Sequence, residues 1–263
     1  MPKSTLDGLT TCQIQNFVDD GFVKLDHAFS PDLAQRCREE LWADMGLSPD
    51  HPEGWTEPVV RVGFKSSPPF AEAGNSARLR KAFDQLAGEG RWVKPAGLGI
   101  FPVRFPSRHA PGDDGWHVDM SFGTDNPDFM EWRVNVKSRG RALLMLFLFS
   151  NVGSNDAPTR IRKGSHHAIA RQLLPRGGTG MTLRQLAADG FASTKGCDLA
   201  LATGEAGTVY LCHPFVVHAA QPHRGKEPRF MALPPLLPRG DFDPALPPSP
   251  VQIAIRKACN LSF

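Results

Sequence analysis

The first quarter of the chain alternates apolar and polar residues at helical spacing. Thr10 stands in capping-box register with Gln13 ahead of Ile14, Phe17 and Val18, and Gly21 is placed to stop that helix. A short strand is predicted for Phe22 to Leu25. Ser30-Pro31 then supplies an N-cap followed by proline at the first helical position, and Leu33, Cys37, Leu41 and Met45 mark one buried face. A further helix is predicted over Ser76 to Ala87, with Leu79, Ala82, Phe83 and Leu86 as its stripe and Gly88 at its end.

From Gly97 the pattern changes to short apolar segments broken by Gly, Pro, Asp and Asn, as a β-sandwich or barrel reads. Predicted strands are Gly97 to Arg104, Trp116 to Met120, Arg141 to Ser150 and Thr159 to Arg162. Gly207 to His213, Phe215 to Ala219 and Arg229 to Pro234 complete the set. One helix, Thr182 to Ala188, interrupts the series, and the proline-rich tail from Pro234 to Pro250 is expected to pack as irregular coil. No repeat or linker divides the chain. Residues 1–263 are expected to form a single domain, helical over about 1–92, with a β core over about 95–236 and an irregular C-terminal tail.

Hydrophobic residues make up 41% and charged residues 22%, an ordinary globular balance. The 30 Lys and Arg are interspersed with 27 Asp and Glu and form no long basic run, so no nucleic-acid partner is expected. Five cysteines form no C-x-x-C pair, which fits free thiols in a reducing compartment. The N-terminal MPKSTLDGLTT has no apolar signal region, and the longest apolar run, Ala142 to Phe149, is too short to span a bilayer. The expectation is a soluble, cytoplasmic protein without a membrane partner.

Two segments carry candidate chemistry. In Trp116-His117-Val118-Asp119, residues two apart on a strand share a face, so an imidazole and a carboxylate converge on one cation. The second runs from Gly207 to Arg229, where an apolar strand ends at His218, a Pro- and Gly-rich turn follows, and a new strand begins at Arg229. Hairpin geometry brings His218 and Arg229 side by side. His213 competes with His218 as a ligand, but an offset of five residues puts it on the opposite strand face. Two histidines and one carboxylate leave open coordination positions, the pattern of non-haem iron(II) oxygenases, whereas a closed zinc site wants four protein ligands. An arginine nearby suits a dicarboxylate that chelates the metal at one end and pairs with the guanidinium at the other.

These motifs resemble the phytanoyl-CoA dioxygenase family of iron(II) and 2-oxoglutarate-dependent oxygenases, and the resemblance spans nearly the whole chain. It is carried by Leu9 to Leu25, Trp116-His-Val-Asp119, Arg162-Lys-Gly-Ser-His166, and His218 with Arg229 eleven positions on. The resemblance implies a mainly β fold with flanking α-helices, a double-stranded β-helix (jelly-roll, cupin-like). It implies that His117, Asp119 and His218 hold Fe(II), that Arg229 pairs with the distal carboxylate of 2-oxoglutarate, and that Leu146 faces that co-substrate. Leu146 also reads as an ordinary core leucine. The implied reaction uses O₂ to hydroxylate an unactivated C–H bond of a small-molecule substrate, with release of succinate and CO₂. Halogenating members of this broad iron class carry a small residue at the carboxylate position, so Asp119 argues for hydroxylation. Where many relatives have Gln and a hydroxyl residue, this chain has Val118 and Ala220.

Arg160 and Arg162 share a face of a short strand and, with Arg104, are candidates for binding an acidic substrate; a solvated strand face is the alternative. His166 and His167 follow Gly-Ser in a predicted turn and read as structural or surface groups. Trp116, beside His117, is expected to point out of the site, since strand neighbours face opposite ways. Two other functions stay open: a non-oxidative enzyme using the same triad with another divalent metal, and a small-molecule-binding β-barrel without turnover.

Overall fold

The structure, a computed structural model, describes residues 8–240 and 245–261. Residues 1–7, residues 241–244 of the proline-rich tail and residues 262–263 lie outside it. Thr10 caps helix α1 (Thr11–Asp20) in a reciprocal capping box with Gln13, and Gly21 ends it in the left-handed region at φ 86°. Strand β1 (Phe22–Leu25) and the Ser30-capped α2 (Pro31–Met45) follow as expected. Then come β2 (Val59–Val62), α3 (Pro68–Gly74), α4 (Ala77–Ala87) and β3 (Phe101–Arg104).

The second half contains β4 (Arg133–Val134), β5 (Leu143–Leu148), β6 (Arg160–Arg162), α5 (Ser165–Leu173), β7 (Met181–Thr182) and α6 (Leu183–Ala187). It closes with β8 (Leu199–Leu201), β9 (Val209–Cys212), β10 (His218–Ala219), β11 (Met231–Ala232), β12 (Pro235–Leu236) and α7 (Pro250–Cys259). The main sheet runs β1-β9-β5-β11, with β12 also on β5, and a smaller sheet runs β10-β6-β8; every pairing is antiparallel.

The central strands β5 and β9 of the main sheet are buried on both faces, which is why β5 reads as an unbroken apolar run rather than an alternation. Leu143, Met145 and Phe147 join Val209 and Leu211 in the large core against the helices. Leu144, Leu146 and Leu148 point the other way, into a second core with Ile161, Tyr210, Cys212 and Met231. The layers are therefore helices, main sheet and small sheet.

Four expectations change. Trp116 to Met120 is not a regular strand; it touches the sheet through one bridge, His117 to His218. The turn expected at His166 and His167 is the first turn of α5. Edge strand β8 was not expected, and the tail ends in a helix rather than coil. Ser249, followed by proline at the first helical position, makes a capping box with Gln252.

Candidate metal centre

Two isolated antiparallel bridges build the site. In the first, His117 and His218 exchange both backbone hydrogen bonds, each N–H donating at 3.0 Å, so their side chains stand opposite one another with ring centroids 4.3 Å apart. Two residues on, Asp119 projects to the same side, while Val118 between them is fully buried in the large core. One side-chain nitrogen or oxygen from each of His117, Asp119 and His218 lies within 4.8 Å of the others.

The imidazoles are fixed in one tautomer. His117 Nδ1–H donates to Gly115 O at 2.9 Å and His218 Nδ1–H to Val216 O at 3.1 Å; a carbonyl only accepts, so in the neutral ring it is Nε2 that carries the lone pair. His218 Nε2 lies 3.7 Å from Asp119 Oδ1. Burial, helped by His117, pushes the His218 imidazole down to about 4, so it is neutral at neutral pH and free to ligate. Burial alone would raise the Asp119 carboxyl, but Arg141, His218 and His117 outweigh it and hold the group below its ordinary value.

Arg141 was not anticipated from sequence. It ion-pairs with Asp119 Oδ2 and donates to Met120 O at 3.2 Å, leaving Oδ1 to the metal side. Such an outer partner orients the ligand. Replacing Arg141 with Met is expected to weaken metal binding roughly 10- to 100-fold without displacing the histidines. Cobalt(II) titration of the variant measures it, and an unchanged affinity would remove Arg141 from the site.

The strand bearing His218 is held from behind by the Gly-Ser-His segment. Gly164 takes φ 73°, letting Ser165 accept the Val217 N–H at 2.8 Å, while His166 Nε2–H ties α5 to Val18 O on α1 at 3.0 Å. The motif thus supports the site without entering it. His213 is buried in the same support, with Nε2–H on Val251 O at 3.3 Å and Nδ1 accepting from Phe215 N–H. It contributes nothing to the triad.

The second bridge pairs Arg104 with Arg229, with backbone bonds of 3.0 and 2.8 Å. Arg229 is 1% exposed; its Nη1 and Nη2 donate to Ala157 O and Pro102 O, and its Nε has no partner. Arg104 donates to Asp113 at 2.6 Å and likewise leaves Nε and Nη1 unpaired. Burial and the Arg104 charge pull the Arg229 guanidinium below its ordinary range, with Asp113 offsetting only part. Buried cationic donors without acceptors fit an anion. Both arginines line one cavity of about 610 Å³ together with His117, Asp119 and His218.

Three sequence candidates lie elsewhere. Leu146 does not line the cavity; it is enclosed in the core between the two sheets, because the inward face of β5 is packed against Ile161 and Met231. Arg160 and Arg162 are also outside the lining. Arg160 donates to Ala220 O and Asp114 O, and Arg162 to Thr194 Oγ1 and Phe191 O. Their guanidinium groups stack on Trp116 at 4.8 and 4.2 Å, clamping the residue before His117. Trp116, expected to point away, does reach the cavity lining, since no regular strand constrains it.

No protein-family model matches the chain, and no curated protein matches it in sequence. Solved structures do match it in fold. The non-haem α-ketoglutarate-dependent carbocyclase SnoK from nogalamycin biosynthesis superposes with a TM-score of 0.61 at 16% identity, over 89% of this chain and 85% of SnoK. HygX from Streptomyces hygroscopicus, with nickel and 2-oxoglutarate bound, gives 0.55 at 18% identity, over 86% and 85%. EctD from S. alaskensis with bound Fe gives 0.56 at 21% identity, over 90% and 79%. The likeness is one of fold, and it agrees with the resemblance carried by the sequence motifs. Among the described residues no helix is long and apolar enough to cross a membrane.

Proposed function

We propose that the protein is an iron(II)- and 2-oxoglutarate-dependent dioxygenase on a double-stranded β-helix, hydroxylating an unactivated C–H bond of a small molecule. One observation carries this reading: a His-Asp-His face and a buried, partly unpaired Arg229 open onto the same cavity. His117 Nε2, His218 Nε2 and Asp119 Oδ1 would hold the metal. Arg229, with Arg104 beside it, would take the distal carboxylate of 2-oxoglutarate. Bound together, iron(II) and 2-oxoglutarate supply the O₂ activation that C–H oxidation needs, with succinate and CO₂ as by-products.

The protein's own contribution is alignment and shielding. The tautomer-locking carbonyls and Arg141 fix the three donors in advance, and a substrate covering the apolar part of the cavity wall would displace water from the reacting centre. The fold neighbours HygX and EctD, seen with 2-oxoglutarate and with Fe, support this assignment. The free cysteines support work in a reducing compartment such as the cytoplasm.

Anaerobic addition of iron(II) and then 2-oxoglutarate should produce a weak visible charge-transfer band. Its absence, with zinc or manganese supporting turnover instead, would favour a non-oxidative metal enzyme. Because Asp119 occupies the position a halide would need, the product formed in chloride-rich buffer should carry oxygen from labelled O₂ and no chlorine. A chlorinated main product, read by mass, would overturn the assignment of Asp119.

A further inference from the structure

The charged residues that line the cavity are already engaged. Arg141 is paired with Asp119, Asp113 joins Arg104 and Arg61, and Arg229 belongs to the anion site. Much of the remaining wall is apolar: Phe129, Met130 and Trp132 from one segment, Leu183 and Ala187 from α6, and Ile100 beside β3.

This wall is built, not frayed. Asp128 caps the short 3-10 turn Phe129–Glu131 by accepting from Met130 N–H at 2.9 Å. Arg184 on α6 reaches across to Asp128 and Glu131, each at 2.7 Å, and Leu183 N–H donates to Trp132 O at 3.0 Å. Trp132 spends its only polar atom on Asn126 O at 2.7 Å and packs its ring edge-on to Phe129, with centroids 5.0 Å apart. Even so, Phe129 is 47% and Ile100 59% exposed, although both line the cavity. Large apolar side chains held in water around a concave site are stabilised when an apolar ligand covers them.

We propose that the substrate enters this cavity as an uncharged, apolar body seated against the Phe129–Trp132 segment, α6 and Ile100, with Phe129 and Ile100 determining specificity. The chemistry done on that body rests on the iron and 2-oxoglutarate reading; the binding surface does not. Rigid apolar walls select by shape and by exclusion of charge, because a carboxylate moved there would lose its hydration without gaining a partner.

The test uses the intact protein loaded anaerobically with iron(II) and 2-oxoglutarate, with N-phenyl-1-naphthylamine as a neutral fluorescent probe. The expected result is saturable binding that neutral 2-naphthol reverses at a concentration at least about tenfold lower than anionic 2-naphthoate. Phe129→Glu and Ile100→Glu, both at exposed positions that should tolerate the change in folding, are each expected to weaken the probe at least about tenfold while the charge-transfer band persists. Probe binding unchanged in both variants, or 2-naphthoate displacing better than 2-naphthol, would overturn the proposal. If the unaltered protein shows no band but its probe binding is lost in the Glu variants, the oxygenase reading fails and the apolar site stands.

Discussion

His218→Ala is expected to abolish iron(II) binding while the protein stays folded, and His213→Ala to leave iron binding in place. In the proposed centre His218 supplies one of three protein donors among the described residues, and a missing donor removes more affinity than the roughly 10- to 100-fold that follows loss of an outer-shell partner. The fold should survive because the His117 to His218 bridge is made by backbone atoms, which alanine keeps. His117→Ala should behave the same way. Asp119→Ala should lose metal and also some stability, since it leaves Arg141, only 13% exposed, without its counter-ion. Metal content after dialysis against iron(II), together with thermal unfolding, measures both effects. His213 is the informative control: it sits on the same stretch of chain but bonds Val251 O and Phe215 N–H in the helical layer. Retained metal in His218→Ala and loss in His213→Ala would transfer the ligand role.

The elements that were legible in sequence are those whose signals are local. Thr10 with Gln13, Ser30-Pro31 and Gly88 announced three helices because capping is decided within a few residues. Helix α7 carried the same kind of signal in Ser249-Pro-Val-Gln252, hidden by the prolines around it. Strands were most legible where both faces are buried, as in β5 and β9, or where one face alternates with the other, as in β1. Edge strand β8 leaves Leu199 at 59% exposure, so neither burial pattern nor composition set it apart from coil.

Within the site, the two-residue spacing of His117 and Asp119 was readable because it needs only an extended backbone. His218 and Arg229 do line the same cavity, but not through the hairpin expected between them: His218 bridges His117 and pairs with β6, while Arg229 bridges Arg104 and leads into β11 on the main sheet. Arg141 was not readable, because its partner is twenty-two residues away and the pairing depends on how the loop before β5 returns beside Asp119. The surroundings of Arg160 and Arg162 were not legible for a related reason: a strand pattern gives the shared face but not what lies over it. Here that is the ring of Trp116.

Arg229→Ala is expected to raise the 2-oxoglutarate requirement by about two orders of magnitude, with iron binding unchanged. The guanidinium is held by Ala157 O at 2.5 Å and Pro102 O at 3.1 Å, which leaves Nε and the second N–H of each Nη to meet a carboxylate. Hydrogen bonds to charged groups contribute about 1.5–3 kcal/mol each, so losing two of them at the lower end of that range costs about 3 kcal/mol, which is two orders of magnitude. Arg229→Lys should recover only part, because a point charge lacks the planar fork and cannot also satisfy the two carbonyls that position it. Titrating each variant with 2-oxoglutarate and following succinate separates co-substrate affinity from the rate at saturation. The neighbouring guanidinium provides the contrast. Arg104 is already paired with Asp113 at 2.6 Å, so Arg104→Gln should shift the requirement less than Arg229→Ala. If Arg229→Ala leaves the requirement unchanged and Arg104→Gln raises it, the anchor is Arg104, and the cavity holds its dicarboxylate one bridge position away from where Arg229 would place it.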